Sequence, residues 1–336
     1  MRRLNNYEIN LIGKKKKSGI VALCLLFLLL IVFILILTNR RWIYDFYRGL
    51  TYRPTEKVEE IRDSLELTNY GSFLFNASLP SLEERENFNV YCRERENTGA
   101  ILGCYRNNNI YVYNIVESEL DGIIEVTMAH ELLHAEYDRM SENEKSGLKD
   151  SLERVLKDNS DILENDLKNY EEALKMEELY VRAGTEILEL PEDLEKHYAR
   201  IFKDQDVIAN YYNKYIVKFR EIEEKLTRLN SELKILNDDI VIKTELYKIR
   251  VENLNEEILD FNRCAETAGC FLSESDFYYT RAGIVGKQRD LDGFYQEIDG
   301  LIVMYNQKVQ EYNENLLVGE KLNSAINSSI KVEEVE

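Results

Sequence analysis

At 336 residues the chain can form one large or two modest domains, with ample length to bury a core. It carries 62 Asp and Glu against 43 Lys and Arg, a formal charge of −19. A field of that sign repels phosphate backbones and sets aside nucleic acid as a partner.

Residues 1–19 form a basic tail with Arg2, Arg3 and Lys14 to Lys17. From Ile20 to Thr38 the sequence "IVALCLLFLLLIVFILILT" has no charge and no proline. As a helix it would reach roughly 28 Å, the thickness of a hydrocarbon core. It exceeds the apolar core of a cleaved signal peptide and runs into "TNRRW", so we expect an uncleaved transmembrane signal anchor. The N-terminal basic cluster is denser than Arg40, Arg41, Arg48 and Arg53 after the span. That asymmetry predicts a single-pass protein of the cell membrane, N-terminus cytoplasmic and body extracytoplasmic. In the juxtamembrane segment 39–54, Trp42, Tyr44, Phe46 and Tyr47 suit an interfacial aromatic belt. Cys24 lies inside the span, leaving Cys92, Cys104, Cys264 and Cys270 as two sequence-local pairs. In an oxidising compartment these are expected as two disulfides; four free thiols are the alternative.

Residues 55–202 alternate short elements. "PTEKVEEIRDSLEL" sets Val58, Ile61 and Leu65 on one helical face, and "YGSFLFNAS" reads as a strand. Ser81 and Glu84 form a capping-box pattern before a helix. "AILGCYRNNNIYVYNIV" reads as two strands turning at Asn107 to Asn109. Asp121 can then cap a helix through "VTMAHELLHAEYDR", and Ser141 with Glu144 opens the next. One longer helix is expected over "DILENDLKNYEEALKMEELYVRAGTEIL", and Pro191 opens "PEDLEKHYARIF". From 203 to 325 the pattern becomes a heptad. Ile222, Leu226, Leu229, Leu233, Leu236 and Ile240 alternate at four and three, the register slips near Lys243 to Val251, and Leu254, Ile258 and Phe261 resume it. After a break at "NRCAETAGCFLSES" a second run carries Leu291, Phe294, Ile298, Leu301, Tyr305, Val309, Tyr312 and Leu316. Two such runs predict an antiparallel coiled-coil hairpin, with association through the coiled coil, to itself or a partner, as the alternative. Residues 326–336 are expected to fray.

Two of the three histidines, His130 and His134, stand four apart in the motif helix, so both project from one face. Two imidazoles so placed can share one tetrahedral cation. Glu131 follows His130 and sets its carboxylate beside that cation, where it can take a proton from an activated water. This is the H-E-x-x-H pattern. Asp138, one turn past His134, can orient that imidazole or cap the helix end.

"TMAHELLH" preceded by "IYVYNIV" resembles the active-site helix and edge strand of zincin metallopeptidases, over about residues 55–202. The resemblance implies an α+β fold: a small zincin-like domain with a few-stranded antiparallel sheet and active-site helices, before the hairpin and after the one transmembrane helix. It also implies one Zn2+ per chain and a peptide or protein substrate. Tyr111, Val112, Tyr113 and Asn114 of the edge strand would hold the substrate main chain. A metzincin-like continuation would need a histidine where Met140 stands. "MEELYVRAGTEILELP" instead resembles the gluzincin element that supplies a glutamate ligand, with Glu178 first, Glu186 second and Glu177 also open. Arg182 stands where the family often has an aspartate. His197 and Tyr198 are candidate oxyanion donors, and His197 a possible third ligand. The expected activity is zinc-dependent hydrolysis of peptide bonds with Glu131 as general base. A non-catalytic envelope scaffold built on the coiled coil is the alternative, and an amidase acting on cell-wall peptides a third.

Overall fold

The computed structural model describes residues 23–92, 101–168 and 170–328, mostly as helices around one small sheet. The expected basic tail, the first residues of the expected span and the last of the expected frayed end lie outside the described residues. The chain divides into two units, Tyr215–Ala325 and the remainder.

In the first unit, the apolar helix α1 (Leu23–Thr38) meets α2 (Arg40–Thr51) at a bend of 71°. Among the described residues no single helix is long and apolar enough to cross a membrane; this bent pair passes that test only jointly. Thr55 and Thr68 cap α3 (Glu56–Ser64) and α4 (Asn69–Ala77) through their side-chain oxygens. Helix α4 corrects the strand expected over "YGSFLFNAS". A short apolar run fits either element, and here the Thr68 cap and the burial of Gly71, Leu74 and Phe75 select the helix. Ser81 likewise lies in β1 (Ser81–Glu83) rather than at a helix cap, and α5 (Arg85–Cys92) starts beyond it.

The expected hairpin is present as β2 (Gly103–Arg106) and β3 (Asn109–Tyr113), turning on Asn107 and Asn108 at φ 52° and 62°. Two positive φ values in a two-residue turn match the right-handed twist of the strands, and Asn tolerates them. The strand order is β1-β3-β2, with β1 parallel and β2 antiparallel to β3. The sheet is therefore mixed, which corrects the antiparallel expectation. It also corrects the edge: Tyr111 to Tyr113 pair with Ser81 to Glu83 on one side and with Gly103 and Cys104 on the other, and Asn114 N–H donates to Glu83 O at 2.9 Å. A strand bonded on both sides has no main chain left for a peptide.

The motif helix α6 (Ile123–Tyr137) starts at Gly122, not Asp121. Gly122 sits at φ +97°, and a Cβ there would come within 2.9 Å of Tyr211 O, so both conformation and space require glycine. Asp121 is turned to Lys214 instead. Met128, Ala129, Leu132, Leu133 and Ala135 are fully buried, and His134 and Glu136 nearly so. A helix apolar on nearly every side belongs inside, and α6 packs against the sheet, α3 and α4. The capping box at Ser141 and Glu144 opens α7 (Glu142–Asp158) as expected. The single helix expected next is two, α8 (Ser160–Leu167) and α9 (Glu172–Glu186), and α9 packs along α6. Pro191 precedes α10 (Glu192–Tyr198). Disulfides join Cys92 to Cys104 here and Cys264 to Cys270 in the second unit, the sequence-local pairing.

The second unit consists of the long helices α11 (Gln205–Ala265), from Tyr215 on, and α12 (Glu274–Ile326), up to Ala325. Ion pairs join Lys225 to Glu311, Glu232 to Lys308, Lys243 to Glu297 and Glu257 to Lys287. One number rises as the other falls, which only antiparallel helices allow. Leu229, Leu254 and Ile298 are buried at the seam. Thr244, Tyr247 and Val251, each half-buried, carry it through the register slip. Phe261, Phe271 and Phe277 cluster in tilted and edge-to-face contacts where the chain turns, around the Cys264–Cys270 bridge.

Candidate metal centre

His130 and His134 lie one turn apart with ring centroids 5.0 Å from each other. Glu178 comes to them from α9, 3 % exposed, with Oε1 3.8 Å from His130 Nε2 and Oε2 3.6 Å from His134 Nε2. These gaps exceed hydrogen-bond length. They are close to the roughly 3.3–3.6 Å between donor atoms that share one tetrahedral zinc at bonds of about 2.0–2.2 Å. One donor atom from each residue fits within 4.8 Å of the others. Two imidazole nitrogens and one carboxylate oxygen form the donor set that zinc takes in hydrolytic sites.

The groups around the triad fix its orientation. His134 Nδ1–H donates to Glu177 Oε1 at 2.7 Å. Because a carboxylate only accepts, that bond assigns the proton to Nδ1 and turns Nε2 toward Glu178. Arg182 Nε–H donates to Glu178 Oε1 at 2.9 Å and its Nη1 lies 3.1 Å from Glu186 Oε1. Glu186, the second candidate ligand, is thus held by Arg182 and is outside the triad. Burial works against the charged form of His134, but the bond to Glu177 and the Glu178 and Glu131 carboxylates push its pKa up to about 10. Burial would raise Glu178, yet His134, His130 and Arg182 hold it far below the usual carboxylate range.

Glu131 is buried beneath β2. A Cβ on Gly103 would lie 2.7 Å from Glu131 Oε1 and 2.8 Å from Thr127 Cγ2, so only glycine lets the strand approach the helix this closely. A cleft of about 150 Å3 lined by Tyr105, His134, Tyr137, Asp138, Lys145 and Glu177 opens beside the triad.

The remaining candidates lie elsewhere. Tyr198 is fully buried and its hydroxyl donates to Tyr180 O at 2.6 Å, so it has no proton to offer an oxyanion; this corrects that expectation. His197 Nε2 lies 3.0 Å from Tyr180 Oη, and burial with the nearby Arg200 charge pushes its pKa down to about 4. It is not in the triad group, among the described residues. Asp138 caps the end of α6 and pairs with Arg41 rather than with His134. Two features lay outside the sequence reading. One is the approach of Gly103 to Glu131, whose only signal was a glycine inside a strand pattern. The other is the buried pair Arg139–Asp45, 2.9 Å, which ties α2 to the end of α6 and had no local signal. No family model, curated protein or solved structure matches this chain.

Proposed function

We propose that the chain is a membrane-anchored zinc peptidase with its body outside the cytoplasm. The observation that carries this reading is the convergence of His130, His134 and Glu178, from two helices distant in sequence, with Glu131 next to the first histidine. Three carboxylates, Glu131, Glu177 and Glu178, act on His134, and Glu178 also faces His130, a negative field suited to a divalent cation. Zinc, when bound, supplies Lewis acidity to a water and a scissile carbonyl. Glu131 accepts the proton of that water and delivers it to the leaving amine. Glu177 keeps His134 in the ligating tautomer, and Arg182 keeps the Glu178 carboxylate in place.

The substrate strand is assigned to β2 rather than β3. Tyr113 N–H donates to Leu102 O at 2.8 Å, so residues 102, 104 and 106 face β3 and the main-chain groups of Gly103 and Tyr105 turn away from it. An extended peptide pairing there would lie directly over Glu131. The helical unit Tyr215–Ala325 supports a second role as a docking arm or tether, the scaffold reading.

Zinc content and turnover separate the two. The purified chain should carry about one zinc, lost in His130→Ala, and cleave peptides from a mixed library. Glu131→Gln should retain the zinc and lose at least about 100-fold in turnover. Absence of zinc from both proteins, or full turnover in Glu131→Gln, would overturn the peptidase reading in favour of the scaffold.

A further inference from the structure

Helix α2 is amphipathic with its polar side inward. Asp45 is 4 % exposed, bonded through both carboxylate oxygens to Arg139 at 2.9 and 3.1 Å. Arg41 pairs with Asp138, and Arg48 donates to Ala77 O, Asn108 O and Asn109 Oδ1 at 2.8, 2.8 and 2.5 Å. These residues, spaced four and three apart, make one stripe. The opposite stripe is Trp42, Ile43, Phe46, Tyr47 and Leu50, and it faces outward: Trp42 is 59 % exposed, Tyr47 65 % and Leu50 65 %. No charged side chain interrupts it. A soluble surface helix has the reverse arrangement, so this apolar stripe requires a cover.

The covalent neighbour identifies the cover. Helix α1, uncharged and exposed from Leu23 to Leu37, ends one residue before α2 begins, and the axes bend by 71°. With α1 along a bilayer normal, α2 inclines to within about 20° of the membrane plane. Tryptophan and tyrosine on the outward stripe, with Arg40 and Arg53 at its ends, match the chemistry of the headgroup boundary. We infer that α2 is an interfacial helix that lies flat on the lipid with its Trp42–Leu50 stripe in the headgroup region and its Asp45 stripe docked on the protein. The inference rests on α1 being a membrane span and is independent of the peptidase reading. Its consequence is positional. Arg41–Asp138 and Asp45–Arg139 tie α2 to the residues just after α6, so the triad is held close to the bilayer surface. Taken together with the peptidase reading, on which this one consequence rests, that placement makes membrane-proximal segments the substrates.

Trp42 is the only tryptophan in the chain and reports on this surface directly. The full-length protein is reconstituted in phosphatidylcholine–phosphatidylglycerol vesicles whose acyl chains carry bromine near the headgroup end. Three proteins are compared: wild type, Trp42→Phe/Leu50→Trp, and Trp42→Phe/Val116→Trp, the last at a position 76 % exposed on the protein body. A flat helix quenches Trp42 and the Leu50→Trp reporter to the same extent, and leaves the Val116→Trp reporter bright. An upright helix would lift position 50 about 12 Å from position 42, quenching only Trp42, and would overturn the inference. So would a Leu50→Trp reporter shielded from aqueous iodide but untouched by brominated lipid, since that stripe would then be covered by a second copy. If the chain fails to float with the vesicles at all, the membrane-span reading itself falls, an outcome distinguishable from the other two. Wild-type circular dichroism retained in each variant confirms that the reporters sit on a folded chain.

Discussion

His134 Nδ1 lies 2.7 Å from Glu177 Oε1, while His134 Nε2 faces Glu178, the next residue in the chain. Adjacent residues on a helix point about 100° apart, so two successive glutamates can reach two different atoms of one ring. Glu177 sets the tautomer and Glu178 joins the triad. Removing the first should weaken the metal without removing a ligand. We expect Glu177→Ala to lower zinc affinity by about 10- to 100-fold, read by competition with a fluorescent chelator. The conservative Glu177→Gln, whose amide oxygen still accepts from Nδ1, should recover much of it. Equal affinity in all three proteins would remove Glu177 from the site.

Gly103 tests the strand's approach to Glu131. Alanine there would bring its Cβ within 2.8 Å of Glu131 Cγ and Thr127 Cγ2, so the Glu131 and Thr127 side chains, or the strand, must shift. The expected cost is about 1–3 kcal/mol in unfolding free energy. Turnover should fall by roughly ten-fold or more while the zinc stays, because the general base moves but the ligands do not. Gly147→Ala is the matched control, because nothing lies within 4 Å of its Cβ and it sits in a helix. It should stabilise by roughly 0.5–1 kcal/mol. If the two variants melt together, the close approach has no energetic weight.

Local signals in the sequence were sufficient where the chemistry is local. The Asn107–Asn108 turn, the Ser141–Glu144 capping box and the four-and-three spacing through Leu229 and Leu254 each depend on neighbours along the chain, and each is found in the fold. The pair His130 and His134 is legible for the same reason. Phe73 and Leu74 sit in an apolar run too short to show a period, and only the Thr68 cap and packing against the body decide for helix. The edge strand was misassigned because strand order is non-local: the residues that enclose β3, Ser81 to Glu83, precede it by a helix and are themselves too short to read as a strand. Of the three glutamates weighed in α9, sequence ranks Glu178 first, but the task of Glu177 needs the position of α6 to be seen.

Asp45 and Arg139 were invisible to any local pattern, and their pair is the most enclosed ionic contact between α2 and the body. Breaking a buried pair from one side strands a charge. Asp45→Ala should therefore cost about 3 kcal/mol in denaturant unfolding, partly offset because Arg139 retains Ala135 O and Tyr105 Oη. The double variant Asp45→Ala/Arg139→Ala should be less destabilised than the sum of the singles by at least about 1 kcal/mol. Additive losses would mean that the pair contributes no coupling, and that Arg41 with Asp138 and Arg48 with its acceptors carry the polar attachment of α2.

His197 gives the fold a pH dependence separable from the metal chemistry. It is packed against Tyr180 and Tyr198, with Arg200 and Glu144 as the charges that act on it. Burial first, then Arg200, pushes its pKa down to about 4. In the unfolded chain a histidine titrates near 6.5. As pH falls below about 6.5 the unfolded chain takes up a proton that the folded chain refuses until about 4. The stability tied to neutral His197 is thus fully present above that range and lost progressively through it, by roughly 3 kcal/mol at the lower end. His197→Gln keeps a hydrogen-bonding group near Tyr180 Oη but does not titrate. Unfolding free energies of wild type and variant, measured from pH 7.5 to 4.5, should diverge in slope, the wild type falling more steeply. Glu144 titrates in both proteins and cancels in the difference. Parallel curves would show that His197 takes up its proton equally well folded and unfolded, and that the Tyr180–Tyr198 pocket does not exclude charge.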